Sequence, residues 1–247
     1  SAILGDTVEK IAAEKCGIIK NFPAVVSANQ KKAVMSVIKK HTENYVVPDV
    51  SRLKVLKCDG SGTTYIYKEK EYSLSLCGEY QIENSLMAIE AVAASGFDIP
   101  YETVKKALAA TFFPARAEII SREPLVVLDG AHNPDGADVL SKIMKKYGGR
   151  ITAVIGMMRD KDYETVLKRT LPYCKSAVAV TVENMPRSLD GEKLAAAANK
   201  YCPCTAAENY DAAIESSRLS AGDDPVFVFG SLYLAGGIRE KLKKFYS

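Results

Sequence analysis

The chain has 247 residues, 47% of them hydrophobic and 26% charged, which is typical of folded proteins and excludes disordered, collagen-like and coiled-coil chains. This length is enough for one large domain or two small ones. The net charge of +3 predicts no broad basic face for nucleic acid, and neither an apolar run of about 18 residues nor a signal peptide occurs. We expect a cytoplasmic protein that binds neither nucleic acid nor a membrane.

The first half of the chain has an irregular order of predicted elements. A capping box of Asp6 and Glu9 predicts the start of the first helix, and the charged Lys68-Glu69-Lys70 predicts the turn of a hairpin. Gly96 and Pro114 end later helices. The elements, in order, are a helix over 7–15, a strand at 24–27, a helix over 30–40, a hairpin of strands 64–67 and 72–76, and helices over 84–94 and 102–110.

The second half alternates short apolar runs with amphipathic stretches. The predicted strands are 125–128, 151–155, 177–182 and 226–229, and the predicted helices are 137–146, 163–171, 191–200, 212–219 and 232–245. Strands and helices that take turns at this spacing require crossover connections. We therefore predict an α/β fold with an open, mostly parallel, Rossmann-like sheet that has helices on both faces. The pattern changes near 113–118, which predicts a domain boundary.

Ligands of open α/β sheets collect outside the carboxyl ends of the strands, so the loops that leave the second-half strands are the first candidates. The first loop, 129–136, reads Asp-Gly-Ala-His-Asn-Pro-Asp-Gly. Asp129, at the end of the strand, could accept hydrogen bonds from ribose or hold a metal's water, and His132 lies in the same polar loop. The same residues suit a capped turn into the next helix, and both interpretations stay open.

A second loop, 156–162, carries four successive charges. Arg159 or Lys161 could clamp a carboxylate or phosphate. The alternative is a solvated helix start that is capped by Asp160 or Asp162.

The third loop is Gly230-Ser231, which suits a helix N-terminus facing an anion and equally a common turn. No GxGxxG and no GxxxxGK[ST] motif occurs. A simple dehydrogenase and a self-sufficient P-loop ATPase are therefore disfavoured.

Three polar residues stand out in the first half. Lys15 lies on the apolar stripe of the first predicted helix, so its amine must snorkel or be used. Gln81 and Asn84 lie three residues apart on one helix face. Their amides could pair with a base such as adenine, or they could cap the helix.

The cysteines form no CxxC pair, and the chain has only two histidines, which disfavours a zinc site. A redox pair in Cys202-Pro203-Cys204 is disfavoured because nothing nearby would lower a thiol pKa. Free thiols are predicted for Cys16, Cys58, Cys77, Cys174, Cys202 and Cys204.

Several short segments occur in a definite order along the chain. They are Leu-Gly-Asp-Thr at 4–7, 11–20 around Lys15, Gly-Glu-Tyr-Gln-Ile-Glu-Asn at 78–84, Pro-Ala-Arg at 114–116, Leu-Asp-Gly-Ala-His-Asn-Pro at 128–134, Asp-Lys-Asp at 160–162, Pro-Arg at 186–187 and Gly-Ser-Leu-Tyr at 230–233. This series resembles the folylpolyglutamate and dihydrofolate synthases, the folate branch of the Mur ligase family. The resemblance spans nearly the whole chain, and the ordered series is more specific than any single segment.

The resemblance implies an ATP-dependent amide ligase that joins L-glutamate to a folate or a dihydropteroate through an acyl phosphate, with ATP and Mg²⁺ as cofactors. It implies that Lys15 is carbamylated and ligates magnesium through its new carboxylate, since Mg²⁺ requires oxygen ligands. It also implies that His132 lies near the γ-phosphate and the incoming glutamate.

The implied nucleotide contacts are Gln81 and Asn84 to adenine, Arg116 to the phosphates, and Asp129 to the ribose or phosphate side of ATP. Lys161 and Ser231 are implied to bind the carboxylates of glutamate. Like the rest of the family, the protein is expected to be a monomer.

The chain departs from the family pattern in two places. The family's P-loop and a metal-binding histidine precede the Leu-Gly-Asp-Thr segment, and neither occurs here. Residues 1–114 thus resemble the later part of the central ATPase domain, and residues 115–247 resemble the C-terminal ligase domain. We expect no ligase activity from this chain alone. Pro114-Ala115-Arg116 also replaces the more usual Pro-Gly-Arg.

Two alternatives to a folate ligase stay open. A Mur-type ligase of a cell-wall precursor would share the fold and the acyl-phosphate chemistry. A binding module that kept the nucleotide-facing loops and lost catalysis belongs to a different class.

Overall fold

The computed structural model describes residues 5, 7–59, 62–76 and 78–247, with Asp59 described through its backbone alone. Leu4, Asp6 and Cys77, which the sequence analysis used, lie outside the described residues. The chain divides into two compact units, Ser1–Phe112 and Phe113–Ser247. No helix in the described ranges is long and apolar enough to cross a membrane.

The first unit combines helices with two small sheets. Its helices are α1 (Val8–Cys16), α2 (Lys32–His41), α3 (Glu79–Ala94) and α4 (Tyr101–Ala110), and a short 3₁₀ turn spans Val50–Arg52. Its strands are β1 (Ala24–Val25), β2 (Tyr45–Val46), β3 (Leu53–Asp59), β4 (Gly62–Tyr67) and β5 (Lys70–Leu74). Strands β1 and β2 pair in parallel, and β3, β4 and β5 form an antiparallel sheet in that order.

The main core of this unit lies between the antiparallel sheet and α3. Tyr65, Tyr67 and Tyr72 from the sheet pack with Ile82 and Leu86 from α3. Aromatic side chains bury large areas, so this layer is the principal stabilising contact of the unit.

The predicted helices and hairpin of this unit are present, but several of their bounds differ: the helix predicted at 84–94 begins at Glu79, and the strand predicted at 24–27 ends at Val25. The Thr7 hydroxyl caps helix α1 by accepting from the Lys10 amide at 3.2 Å, and the predicted capping box rests on Asp6, which lies outside the described residues. The hairpin turns at Lys68 and Glu69, both with positive φ, so Lys70 already belongs to β5. Strands β2 and β3 were not predicted. The edge position of β3 leaves its middle residues exposed, so it lacks an alternating pattern.

The second unit contains a six-stranded sheet. Its strands are β6 (Glu118–Arg122), β7 (Leu125–Leu128), β8 (Ile151–Ile155), β9 (Cys174–Val180), β10 (Cys204–Ala207) and β11 (Val226–Phe229). Its helices are α5 (Pro134–Met144), α6 (Tyr163–Thr170), α7 (Gly191–Ala198), α8 (Tyr210–Ala221) and α9 (Leu232–Phe245), with 3₁₀ turns at Lys145–Tyr147 and Leu171–Tyr173. The strand order is β10-β9-β8-β11-β7-β6, and only the β6–β7 pair is antiparallel.

Helices cover both faces of this sheet, which confirms the predicted α/β fold. Successive side chains of a strand point to opposite faces. Val127 therefore packs in one cluster with Leu140 of α5, together with residues of α6 and α7. Its neighbour Leu128 packs in the other cluster with Leu234 of α9 and residues of α8.

Several predicted boundaries in this unit were wrong for local reasons. Helix α5 begins at Pro134 because the Asn133 side chain caps it and proline suits the first helical position. Asn209 caps α8 in the same way, so that helix begins before the predicted Ala212. Strands β6 and β10 were not predicted, because both lie at edges of the sheet, where apolar runs are not required.

Candidate functional site

The three candidate loops follow the carboxyl ends of three neighbouring strands, β7, β11 and β8, and therefore lie at the same end of the sheet. Strand β11 lies between β7 and β8, with Val228 paired to Leu128 and Phe229 paired to Ile155. Helix α5, which follows β7, packs on one face, and α9, which follows β11, packs on the other. Chain connections that diverge in this way open the crevice where ligands of such sheets bind.

The loops approach so closely that one position requires glycine. Gly230 has a φ of +119°, a conformation that other residues rarely adopt. A Cβ atom at this position would lie 2.7 Å from the carbonyl oxygen of Gly156. The loops after β8 and β11 are therefore in backbone contact.

Asp129 is a buried carboxylate that holds two backbone segments together. Its Oδ2 accepts from the Ala117 amide and its Oδ1 from the Ala131 amide, both at 2.7 Å. Burial raises the pKa of Asp129. The two amides, together with Arg116 and His132, lower the pKa by less, so the net shift is upward. The Asp129 carboxylate thus holds its own loop in place, as the capped-turn interpretation predicts. Its role as a ligand contact stays a prediction.

Arg116 projects from a segment with unusual backbone geometry. Its two neighbours, Ala115 and Ala117, have φ values of +56° and +48°. The Arg116 side chain is exposed, and its guanidinium carbon lies 5.5 Å from the centre of the Phe113 ring. Ala115 thus occupies a conformation that favours glycine, which is where the sequence departs from Pro-Gly-Arg.

His132 uses one of its ring nitrogens within its own loop. Its Nδ1 lies 2.8 Å from the carbonyl oxygen of Gly130, which can only accept. Nδ1 therefore carries the hydrogen, and Nε2 is the basic nitrogen of the neutral ring. Asn133, not His132, caps the following helix by accepting from the Gly136 amide at 2.8 Å.

Lys161 and Arg159 are both exposed in the second loop, but they differ in their contacts. Arg159 is engaged with the carbonyl of Pro186, and Asp160 pairs with Arg187 at 3.1 Å. Asp162 caps α6. No ion pair to Lys161 is found in the described part of the chain. Of the two basic residues predicted to clamp an anion, Lys161 is thus the one not held by the 186–187 segment.

Ser231 is buried and caps α9. Its hydroxyl oxygen accepts from the Tyr233 amide at 3.0 Å, and its exposed fraction is 2%. Its hydroxyl hydrogen can still be donated, because a serine oxygen both donates and accepts.

Two candidate residues of the first unit contact each other. The Asn84 side-chain nitrogen donates to the Gln81 side-chain oxygen at 3.1 Å. Gln81 is buried and Asn84 is exposed. Helix α3 begins at Glu79, so the alternative that these residues cap a helix was wrong.

Lys15 lies in the last turn of α1 with its side chain exposed. The buried residues of this helix are Ala12 and Cys16, so the prediction that Lys15 lies on a buried apolar stripe was wrong. Among the described residues, no group of three His, Cys, Asp or Glu could hold a metal ion. The magnesium-binding role of Lys15 stays a prediction.

The prediction of free thiols is confirmed for the cysteines that the structure describes, Cys16, Cys58, Cys174, Cys202 and Cys204. Burial raises the pKa of Cys202 to about 11 and that of Cys204 to about 12. These thiols are protonated at neutral pH and unreactive.

Sequence reasoning missed two residues beside Arg116. Glu118 of β6 and Arg239 of α9 form an ion pair at 2.7 Å. Hydrogen bonds and charge from Arg239 lower the pKa of Glu118 overall, although its burial alone would raise it. The two residues lie 121 positions apart, and no local pattern connects them.

Comparisons with known proteins agree on one family. Residues 115–232 match the family "Mur ligase, glutamate ligase domain". Folylpolyglutamate synthase of Lacticaseibacillus casei is 30% identical over 261 residues, which cover 97% of this chain and 59% of that protein. Dihydrofolate synthase/folylpolyglutamate synthase of Bacillus subtilis is also 30% identical, with 98% of this chain and 60% of that protein covered.

A solved structure of Mycobacterium tuberculosis folylpolyglutamate synthase, complexed with ADP and AMPPCP, has a TM-score of 0.84 at 28% identity. The match covers 98% of this chain and 61% of that one. The chain thus spans about three fifths of the length of these relatives. It carries a Mur ligase C-terminal domain and is a homologue of the folylpolyglutamate and dihydrofolate synthases.

Proposed function

We propose that this chain is part of an ATP-dependent ligase that adds L-glutamate to folate, to dihydropteroate, or to both, through an acyl phosphate. Residues 1–114 would be the later part of the ATPase domain and residues 115–247 the ligase domain. The observation that carries the proposal is the meeting of three polar loops at the carboxyl ends of β7, β11 and β8. The family match and the relatives support this choice of chemistry.

The proposed nucleotide contacts use groups with free hydrogen-bonding capacity. The exposed guanidinium of Arg116 would neutralise phosphate charge, because several negative charges must come together when phosphate moves to a carboxylate. Asp129 would hold the backbone around Arg116 and lie on the ribose or phosphate side. Gln81 and Asn84 would use their remaining amide groups to pair with adenine.

The proposed ligation step needs a group that accepts a proton. A carboxylate oxygen of the acceptor attacks the γ-phosphorus, ADP leaves, and an acyl phosphate forms. The glutamate nitrogen then attacks the acyl carbon, phosphate departs, and the nitrogen loses a proton. His132 Nε2 is suited to take that proton, since Nδ1 is held by Gly130. Lys161 and Ser231 would bind the carboxylates of glutamate.

The metal part of the proposal is carried by Lys15 alone among the described residues. A carbamylated Lys15 would present one carboxylate to Mg²⁺, which supplies charge neutralisation at the phosphates. Its exposed amine is accessible for that modification.

The test is glutamate-dependent ADP release, with dihydropteroate and tetrahydrofolate offered separately. The assay should use both the 247-residue chain and the whole ligase of which it is proposed to be part. We expect release by the longer protein with at least one acceptor, and none by the 247 residues alone. ATP binding without release on either acceptor would favour another Mur-type acceptor or a non-catalytic binding module. Robust turnover by the 247 residues would contradict the expectation that they are insufficient.

A further inference from the structure

We propose that Glu118 and Arg239 are positioning residues that hold Arg116 in the direction needed to meet the phosphates of a nucleotide. The inference rests on the proposed function, because it takes Arg116 as the phosphate-binding group. It adds a role for a pair of side chains that lie outside the three loops.

The ion pair is partly buried, and several hydrogen bonds join its two side chains. Arg239 donates to Glu118 Oε1 from Nε at 2.9 Å and from Nη2 at 2.7 Å. Glu118 Oε2 accepts from the same Nε at 3.0 Å and from the Ala115 amide, also at 3.0 Å. The exposed fractions of the two side chains are 7% for Glu118 and 20% for Arg239. One carboxylate therefore links α9 to the residue that precedes Arg116.

The backbone around Arg116 requires such support. A left-handed conformation costs a residue other than glycine roughly 1–2 kcal/mol, and Ala115 and Ala117 both adopt it. Strain of this kind persists only where the surroundings fix it. Three contacts do so: the Ala115 amide donates to Glu118, the Ala115 carbonyl accepts from the Gly130 amide at 2.8 Å, and the Ala117 amide donates to Asp129.

The fixed residues flank Arg116 and leave its side chain at the surface. Each neighbour is held by its backbone, whereas the guanidinium itself lies against the exposed ring of Phe113. Arg116 is thus directed by its neighbours and free to bind an anion.

The pair also connects two parts of the candidate site. Arg239 lies on α9, which begins at the cap residue Ser231 in the third loop. Eight residues of helix span roughly 12 Å, so one rigid element reaches from the third loop to the Arg116 segment. A shift of that segment relative to the loop would misplace Arg116, and small misplacements of a binding group weaken its interactions strongly.

The test compares nucleotide affinities in a double-mutant cycle, by calorimetry on the 247-residue chain. The ligands are a non-hydrolysable ATP analogue and adenosine, and the variants are Glu118→Gln, Arg116→Ala and the combination of both. Asp211→Asn is the matched control, because it removes an exposed ion pair between α8 and Lys241 of the same helix α9.

We expect Glu118→Gln to weaken the binding of the ATP analogue about tenfold, which corresponds to the loss of about one charge-assisted hydrogen bond. Adenosine affinity should stay the same, and Glu118→Gln should cause no further loss in the Arg116→Ala background. If the ion pair had a purely structural role, Glu118→Gln would weaken the binding of both ligands, and it would also do so in the Arg116→Ala background. Either of those results would overturn the proposal.

A second readout does not depend on nucleotide. Trypsin cleaves after Arg116 only when the local backbone opens, so Glu118→Gln should raise cleavage there about tenfold, the same factor as in the binding cycle. Other sites, and the Asp211→Asn control, should be cleaved as in the wild type. Unchanged cleavage after Arg116 would overturn the proposal. If the 247-residue chain binds no ATP analogue, the same cycle is run on the whole ligase of which it is proposed to be part, and failure of that protein to bind contradicts the proposed function; the cleavage result decides in either case whether the ion pair fixes the segment.

Discussion

Removal of the Asp129 carboxylate is expected to destabilise the second unit measurably. In Asp129→Ala, the buried amide of Ala131 and the half-buried amide of Ala117 both lose their acceptor. Each unsatisfied buried amide costs about 1–3 kcal/mol. The charge is itself penalised by burial, as the raised pKa of Asp129 shows, so its removal recovers part of that cost. We expect a net loss of about 2–4 kcal/mol.

The conservative variant refines this estimate. Asp129→Asn keeps one oxygen acceptor but turns an NH₂ group toward the other amide, so a loss of about 1–2 kcal/mol is expected. The assay is urea unfolding followed by circular dichroism. With a urea dependence of about 2 kcal/mol/M, Asp129→Ala should lower the midpoint by about 1–2 M. Hydrogen exchange of the 113–247 peptides identifies the unit that loses stability.

The control for Asp129 is Asp135→Ala in the same loop. Asp135 is exposed in the first turn of α5, where a carboxylate contributes only about 0.3–1 kcal/mol. A change of less than about 0.5 kcal/mol for Asp129→Ala would refute the reasoning, because it would mean that the two amides do not depend on this carboxylate.

Three further predictions concern backbone contact, pH and the metal site. Gly230→Ala should cost about 1–3 kcal/mol in urea unfolding, because φ is +119° and the new Cβ would lie 2.7 Å from the Gly156 oxygen. Arg239 lowers the pKa of Glu118 below its ordinary 4.5, so this group stabilises the fold above that pH and its contribution is lost as the pH falls through the lowered value. Wild-type stability should therefore fall more steeply with acid than that of Glu118→Gln. Lys15→Ala and Lys15→Arg, made in the whole ligase of which this chain is proposed to be part, should lower ligase activity at least ~100-fold through loss of a metal ligand.

Each of these predictions has a matched comparison. Gly222 has a φ of +61°, and a Cβ added there would meet no atom of the described residues within 4 Å. Gly222→Ala should therefore cost less than Gly230→Ala, and equal losses would contradict the contact argument. Parallel acid slopes for the wild type and Glu118→Gln would remove Glu118 from the pH response. Lys20 is exposed just beyond α1, and Lys20→Ala should keep normal ligase rates. Near-normal rates for Lys15→Arg would exclude carbamylation.

The sheet of the second unit could be predicted because its inner strands are buried on both faces. β7, β8 and β11 appear in the sequence as continuous apolar runs, each followed by a glycine-containing polar loop. A parallel sheet brings the loops that follow its strands to the same end of the sheet. The pattern alone was therefore enough to assign Asp129, Lys161 and Ser231 to that end. The edge strands β3, β6 and β10 lack that signal, because one side of each is not paired.

The support of Arg116 could not be predicted for a different reason. Alanine normally avoids the left-handed conformation. The sequence therefore gives no sign that Ala115 and Ala117 adopt it. The ion pair between Glu118 and Arg239 depends on where α9 packs against β6, which is a property of the folded unit. The exposed position of Lys15 likewise depends on the packing of α1 and not on its spacing along the helix.

The central claim is that the acceptor carboxylate is phosphorylated by ATP before glutamate attacks. The most direct measurement follows a heavy-oxygen label from that carboxylate, with ATP, L-glutamate and the whole ligase of which this chain is proposed to be part. Our account predicts that one labelled oxygen leaves with the released phosphate while the acceptor gains one glutamyl residue, as mass spectrometry would show. Unlabelled phosphate, or ADP release without a glutamylated product, would contradict the account.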